Sequence, residues 1–100
     1  MYKFVSLQVA DDGIHKYKVV LLNETTKRKV SVKFGAVGYE DFTHKGDKIR
    51  KGLYLVRHAS RENWGASGVA SAGFWSRWLL WGNSTSLQEN LKYVKERFKL

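Results

Sequence analysis

Residues 27 to 34, KRKVSVKF, alternate without a break: Arg28, Val30, Val32 and Phe34 point one way, and Lys27, Lys29, Ser31 and Lys33 the other. A period of two sustained over that length fits an extended strand with one face buried and one face wet. Upstream, HKYKVVLL sets Tyr17, Val19 and Leu21 opposite Lys16, Lys18, Val20 and Leu22, and YKFVSLQVA puts Val5, Leu7 and Val9 on one side. The chain is therefore expected to open with a meander of three antiparallel strands.

Turn chemistry predicts the register. A loop Asp11-Asp12-Gly13, with Gly13 left-handed, pairs residue 10 with 14 and brings Val5, Leu7 and Val9 onto the face of Tyr17 and Val19. The shorter Asp12-Gly13 loop would set them beside Lys16 and Lys18, so the longer one is expected. A loop of Asn23-Glu24-Thr25-Thr26 then pairs 22 with 27 and 18 with 31, gathering Lys16, Lys18, Lys27, Lys29 and Lys33 on the outer face. Such a face is either a solvated surface that discourages edge pairing or a contact for a polyanion or acidic protein.

Beyond Phe34 the pattern changes. FGAVGYEDFTHKG reads as a glycine-rich loop anchored by Phe34, Tyr39 and Phe42. From Asp47, a plausible N-cap, Ile49, Leu53 and Val56 recur at helical intervals, with Gly52 as the weak point. Residues 64 to 73 read as a loop, and FWSRWLLW as a short helix ending at Gly82. Ser86-Leu87-Gln88-Glu89 is a capping box, and Leu87, Leu91, Val94 and Phe98 form one apolar stripe, with Lys92, Lys95, Arg97 and Lys99 on the other faces. The expected class is α+β: a small antiparallel β-meander of about three strands over 1–34, then a loop and two or three helices over 35–100, packed on one face. With 100 residues, 43% of them hydrophobic, there is material for one core, hence a single domain over 1–100.

Several chemistries find no support. Without cysteine there are no disulfides and no thiolate metal sites. Asp41, His44 and Asp47 lie three apart, but no second histidine cluster completes a metal site. His58 and Glu62, four apart, read as a surface ion pair, because nothing nearby supplies a nucleophile or an oxyanion site. Gly35, Gly38 and Gly46 do not fit a phosphate loop. The expectation is a non-enzyme with no metal, no cofactor and no small-molecule ligand. The start, MYKFVSLQVADDG, turns polar too early for a secretory signal, and no stretch approaches the roughly 18 apolar residues of a bilayer span, so a protein that is not secreted and has no membrane span is expected.

What remains is binding. Lys and Arg number 18 against nine Asp and Glu, a formal charge of +9, which favours polyanionic or acidic partners. In RHASRENW, Arg57, His58, Arg61 and Trp64 could hold phosphates while stacking a base, or grip an acidic protein loop. In SAGFWSRWLLWG a helix would put Phe74, Trp78 and Trp81 on one face, Trp75 and Leu79 beside it, and Arg77 pointing away. Two or three of these rings are expected in the core with Val5, Leu7, Val19, Val30, Leu91, Val94 and Phe98. Trp75 or Trp81, beside Arg77, is expected to remain as an exposed docking edge, so that Trp75→Ala would weaken partner binding and spare stability.

FGAVGYEDFTHKGDKIRKGLYLVRHASRENW followed by SAGFWSRWLLW resembles a family of short uncharacterised proteins encoded by large double-stranded DNA viruses of algae and amoebae, over roughly residues 34 to 81. Gly46 and Gly52 depart from that pattern, where members usually carry better helix formers. The resemblance implies a viral source, located in the virion or inside the infected host cell, and brings no activity with it. Two roles follow as expectations: a minor capsid or virion component that cements other virion proteins, or a nucleic-acid-binding protein contacting viral DNA or RNA through the lysine face and Arg57, Arg61 and Arg77. The first is favoured because charge is spread along the chain, +4 over 1–34, +2 over 35–70 and +3 over 71–100, counting Lys and Arg against Asp and Glu.

Overall fold

A computed structural model describes residues 1–100. Strands β1 (Tyr2–Val9), β2 (His15–Asn23) and β3 (Arg28–Ala36) form an antiparallel meander in the order β1-β2-β3. Both hairpins pair two residues further along than turn chemistry predicts: Val9 lies opposite Tyr17, and Asn23 opposite Arg28. In the first turn Asp12 Oδ1 accepts from the Ile14 and His15 amides at 2.9 Å, Gly13 is left-handed at φ 72°, and the Ala10 amide donates to the Lys16 carbonyl at 3.1 Å. In the second, Asn23 closes the strand, accepting from the Thr25 amide at 3.0 Å, and Lys27 takes the left-handed position at φ 62°. A slip of two residues leaves every side chain on its face, so the predicted faces survive the wrong register. Val5 is the exception. A β-bulge between Phe4 and Ser6 sets Phe4 opposite Leu21 and leaves Val5 43% exposed, so Phe4 packs on the core in its place.

The inner sheet face, with Val19, Leu21, Val32 and Phe34 buried, is covered by Val69, Phe74, Trp75, Trp78, Leu79, Leu80 and Val94. Helix α3 (Ala72–Trp75), capped by the Ser71 hydroxyl, continues into a π-helical turn (Ser76–Leu80) in which the Trp81 amide reaches back to the Ser76 carbonyl at 3.0 Å. Helix α4 (Leu87–Phe98) starts at Ser86, whose hydroxyl accepts from the Glu89 amide at 3.2 Å, and it buries Val94 with Leu87, Leu91 and Phe98 beside it. Asn90, also buried, donates to the Leu79 and Ser84 carbonyls at 2.9 and 2.8 Å and accepts from the Ser84 amide at 3.0 Å, which joins α4 to the preceding turn. A Cβ at Gly82 would lie 2.3 Å from the Trp78 carbonyl oxygen, so this crossing needs a residue without a side chain.

In chain order, helix α1 (Phe42–Lys45) and helix α2 (Lys48–Ala59) come between β3 and α3. The Asp41, His44, Asp47 triplet caps these helices. The Asp41 carboxylate accepts from the Thr43 amide at 2.8 Å, His44 Nδ1 accepts from the Asp41 amide at 3.4 Å, and the Asp47 carboxylate accepts from the Arg50 amide at 3.0 Å. Gly46, left-handed at φ 65°, ends α1, while α2 passes through Gly52 unbroken. The buried residue of α2 is Tyr54, stacked on Trp81 at 4.6 Å and 9° and on His58 at 4.3 Å. On the same side, Lys51 Nζ donates to the Gly82 carbonyl at 2.7 Å. The predicted stripe of Ile49, Leu53 and Val56 therefore faces outward, at 79%, 64% and 80% exposure. No helix is long and apolar enough to cross a membrane.

Candidate functional site

The outer sheet face carries fewer lysines than expected. Pairing places Lys18 opposite Lys33 and Lys29 opposite Leu22, with Val20 and Ser31 between them. Lys33 reaches toward the Asp12 carboxylate at 3.6 Å. Lys27 leaves the face because it sits in the turn, and Lys16 is withdrawn by its ammonium, which lies 2.6 Å from the Asp41 carboxylate. Burial pushes the Asp41 carboxyl up, but hydrogen bonds from Lys16 and Thr43 outweigh it and hold the group below its ordinary value. Opposite Lys16, Gly35 has φ 76°, and a Cβ there would meet Leu80 at 2.8 Å, so strand and helical layer touch at this point.

The arginine and tryptophan constellation turns inward. Trp75 is fully buried, 6.5 Å from the Phe34 ring, and its Nε1 donates to the Val69 carbonyl at 2.7 Å. The exposed docking edge expected at Trp75 does not exist, because α3 turns Phe74 and Trp75 into the core and the π-helical turn that follows adds Trp78, Leu79 and Leu80. Arg77 does not point away from the rings. Its guanidinium lies over Trp78 at 4.3 Å and Trp64 at 5.4 Å, and it donates to the Trp81 carbonyl at 2.7 Å. Burial lowers its pKa, as does Arg97, while Tyr54 opposes the shift. Trp64 is half-buried, its Nε1 donating to Glu62 at 2.9 Å and its carbonyl accepting from Trp78 Nε1 at 2.9 Å. Trp81 is held by its stack on Tyr54.

Between α2 and the start of α3 lies a cleft of about 360 Å³. Its charged groups are mostly answered within the chain. His58 Nδ1 meets Glu62 Oε2 at 2.9 Å, Lys16 meets Asp41, and Glu40 pairs with Lys45 at 3.0 Å and Arg50 at 3.1 Å. Arg57 lines the cleft beside His58, while Arg61 follows α2 in a turn, exposed, its guanidinium donating to the Arg57 carbonyl at 3.4 Å. No group of three or more His, Asp or Glu side chains is gathered for a metal.

The outer face of α2 is an apolar surface that the chain leaves uncovered. Ile49, Leu53 and Val56 form an apolar stripe with Gly52 among them, flanked by exposed Lys48, Arg50 and Arg57. Sequence reading identified the helical spacing of these residues and left open which way they face. The signal that could have set the direction is Tyr54, an aromatic ring on the polar side of the helix, level with Lys51 and His58.

Fold and surface together define a small α+β domain, a three-stranded antiparallel meander backed by helices on one face, with a basic-edged apolar helix outside. The chain belongs to the family of unknown function DUF5754, whose model matches residues 5–58, from β1 to the last turn of α2. The four tryptophans lie beyond that segment. No curated protein and no solved structure matches the chain.

Proposed function

We propose that the protein is a non-enzymatic binding module that joins other proteins through α2, as a minor structural component of a virion. The observation that carries the reading is the reversed amphipathic helix, with Ile49, Leu53 and Val56 exposed while Tyr54 is buried. Leaving such side chains in water forgoes about 1.5 to 3 kcal/mol each, and a contiguous apolar surface rimmed by charge is the mark of a protein-docking face. The viral setting rests on the resemblance of residues 34 to 81 to proteins of large DNA viruses.

The nucleic-acid reading has one observation behind it, the exposed Lys29 and Lys33 beside Lys18 on the outer sheet face. It is the weaker reading, because single-strand binders need accessible rings, and here Trp64, Trp75, Trp78 and Trp81 are held in stacks and hydrogen bonds within the chain.

A photo-crosslinking amino acid at position 53, combined with mass spectrometry of purified virions, tests the proposal. The protein is expected in purified particles, crosslinked from position 53 to a defined neighbour. Absence from particles removes the virion role, and no adduct from position 53 removes the docking face. Mobility shifts across a salt series test the alternative, which requires a steep salt slope that is lost when Lys18, Lys29 and Lys33 become glutamine.

A further inference from the structure

The outer face of α2 has relief as well as polarity. Residues 49, 52, 53 and 56 stand at i, i+3, i+4 and i+7, the four corners of one lozenge on the helix surface. Three corners carry branched aliphatic side chains, and the fourth is Gly52, where an added Cβ would meet nothing within 4 Å. A glycine in the middle of an exposed helix weakens it. Gly52 has helical backbone and open space above it, so nothing within the chain requires the missing side chain. The lozenge is therefore a hole of the kind that receives one side chain from a facing helix in knobs-into-holes packing.

Charge narrows the occupant. From Lys48 to Arg61 the chain has Lys48, Arg50, Lys51, Arg57 and Arg61 and no acidic residue. Arg50 has one carboxylate neighbour, Glu40 at 3.1 Å. A second copy laid antiparallel on this face would set Arg50 of one helix beside Arg57 of the other. A lipid surface would gain nothing from a hole, since fluid chains conform to any relief. Resting on the docking role of α2 proposed above, we infer that its occupant is an acidic amphipathic helix of another protein, which places an apolar knob over Gly52 and carboxylates against Arg50 and Arg57.

Binding of the full chain to two synthetic helices of about three heptads, both with leucine along the seam, tests this. One carries glutamate at the flanking positions and the other lysine. The acidic helix is expected to bind about tenfold or more tightly than the basic one, with the difference shrinking as salt rises. Gly52→Leu fills the hole and is expected to weaken the acidic helix about tenfold or more while thermal stability is kept. Equal affinity for both peptides overturns the charge assignment, and a Gly52→Leu variant that binds as well as the parent overturns the hole. Binding to phosphatidylserine vesicles with neither peptide bound, or self-association abolished by Leu53→Asp, replaces this occupant by lipid or by a second copy. If crosslinks from position 53 form while the acidic peptide neither binds nor competes with them, the docking role stands and this inference falls.

Discussion

Helices α2 and α4 are the same length, twelve residues each, both N-capped and both amphipathic, yet they face opposite ways. In α4 the stripe of Leu87, Leu91, Val94 and Phe98 lies on the core, and Phe98 meets Phe74 and Trp78 edge-on at 4.9 and 5.7 Å. In α2 the stripe faces water, and the helix is held by its other side, through the Tyr54 stack, the Lys51 hydrogen bond to Gly82 and the His58–Glu62 pair. Periodicity says which residues share a face. It does not say whether the partner of that face lies within the chain or outside it.

The sharpest test of this contrast is a matched pair of substitutions. Val94→Asp is expected to abolish folding, since an unpaired carboxylate in a fully buried site costs several kcal/mol against a typical stability of about 5 to 15 kcal/mol. Val56→Asp is expected to leave urea unfolding within about 0.5 kcal/mol of the parent, because that side chain is already solvated. Equal damage from both would mean that the stripe of α2 is buried after all.

Trp75→Ala comes next. It is expected to cost about 3 to 5 kcal/mol in urea unfolding, through the cavity it leaves and an unpaired Val69 carbonyl. This reverses the expectation from sequence that the ring is a surface anchor whose loss spares stability. Asn90→Ala is expected to cost about 1 to 3 kcal/mol by the same measurement, because it leaves buried partners at Leu79 and Ser84 unsatisfied.

A pH titration of stability reads the Lys16–Asp41 pair that closes the loop before α2. The folded carboxyl titrates below its ordinary value of 3.8, so its contribution is complete above that value and is lost as pH falls through the folded value. Asp41→Asn should remove this part of the acid limb, and an unchanged limb would assign the acid sensitivity to other carboxylates. A small gain is expected from Gly52→Ala. It should raise stability by about 0.5 to 1 kcal/mol in thermal melts, and a loss would mean that Gly52 is packed within the chain.

Much of the fold is legible because strands and helices announce themselves locally. Alternation in KRKVSVKF, the N-cap at Ser86 and the left-handed Gly13 are properties of a few adjacent residues, and all three appear in the structure, although the Glu89 carboxylate accepts from the Ser84 hydroxyl instead of closing a capping box on the Ser86 amide. The candidate site is less legible, since Lys16, Arg77 and Trp75 change role through contacts with residues far from them in sequence, Asp41, Trp64 and Phe34. Lys16 is withdrawn from the surface by Asp41, and Arg77 is drawn over Trp64 and Trp78.

By itself, then, the sequence determined the three strands, the faces of their side chains and the two long amphipathic helices, because backbone periodicity is local and a register slip of two leaves the faces unchanged. Tertiary structure alone decided which rings fill the core and which way α2 turns. Phe74, Trp75, Trp78 and Leu79 occupy the space over Val19, Leu21 and Phe34, and a close-packed interior has one filling. The stripe of Ile49, Leu53 and Val56 was left outside it.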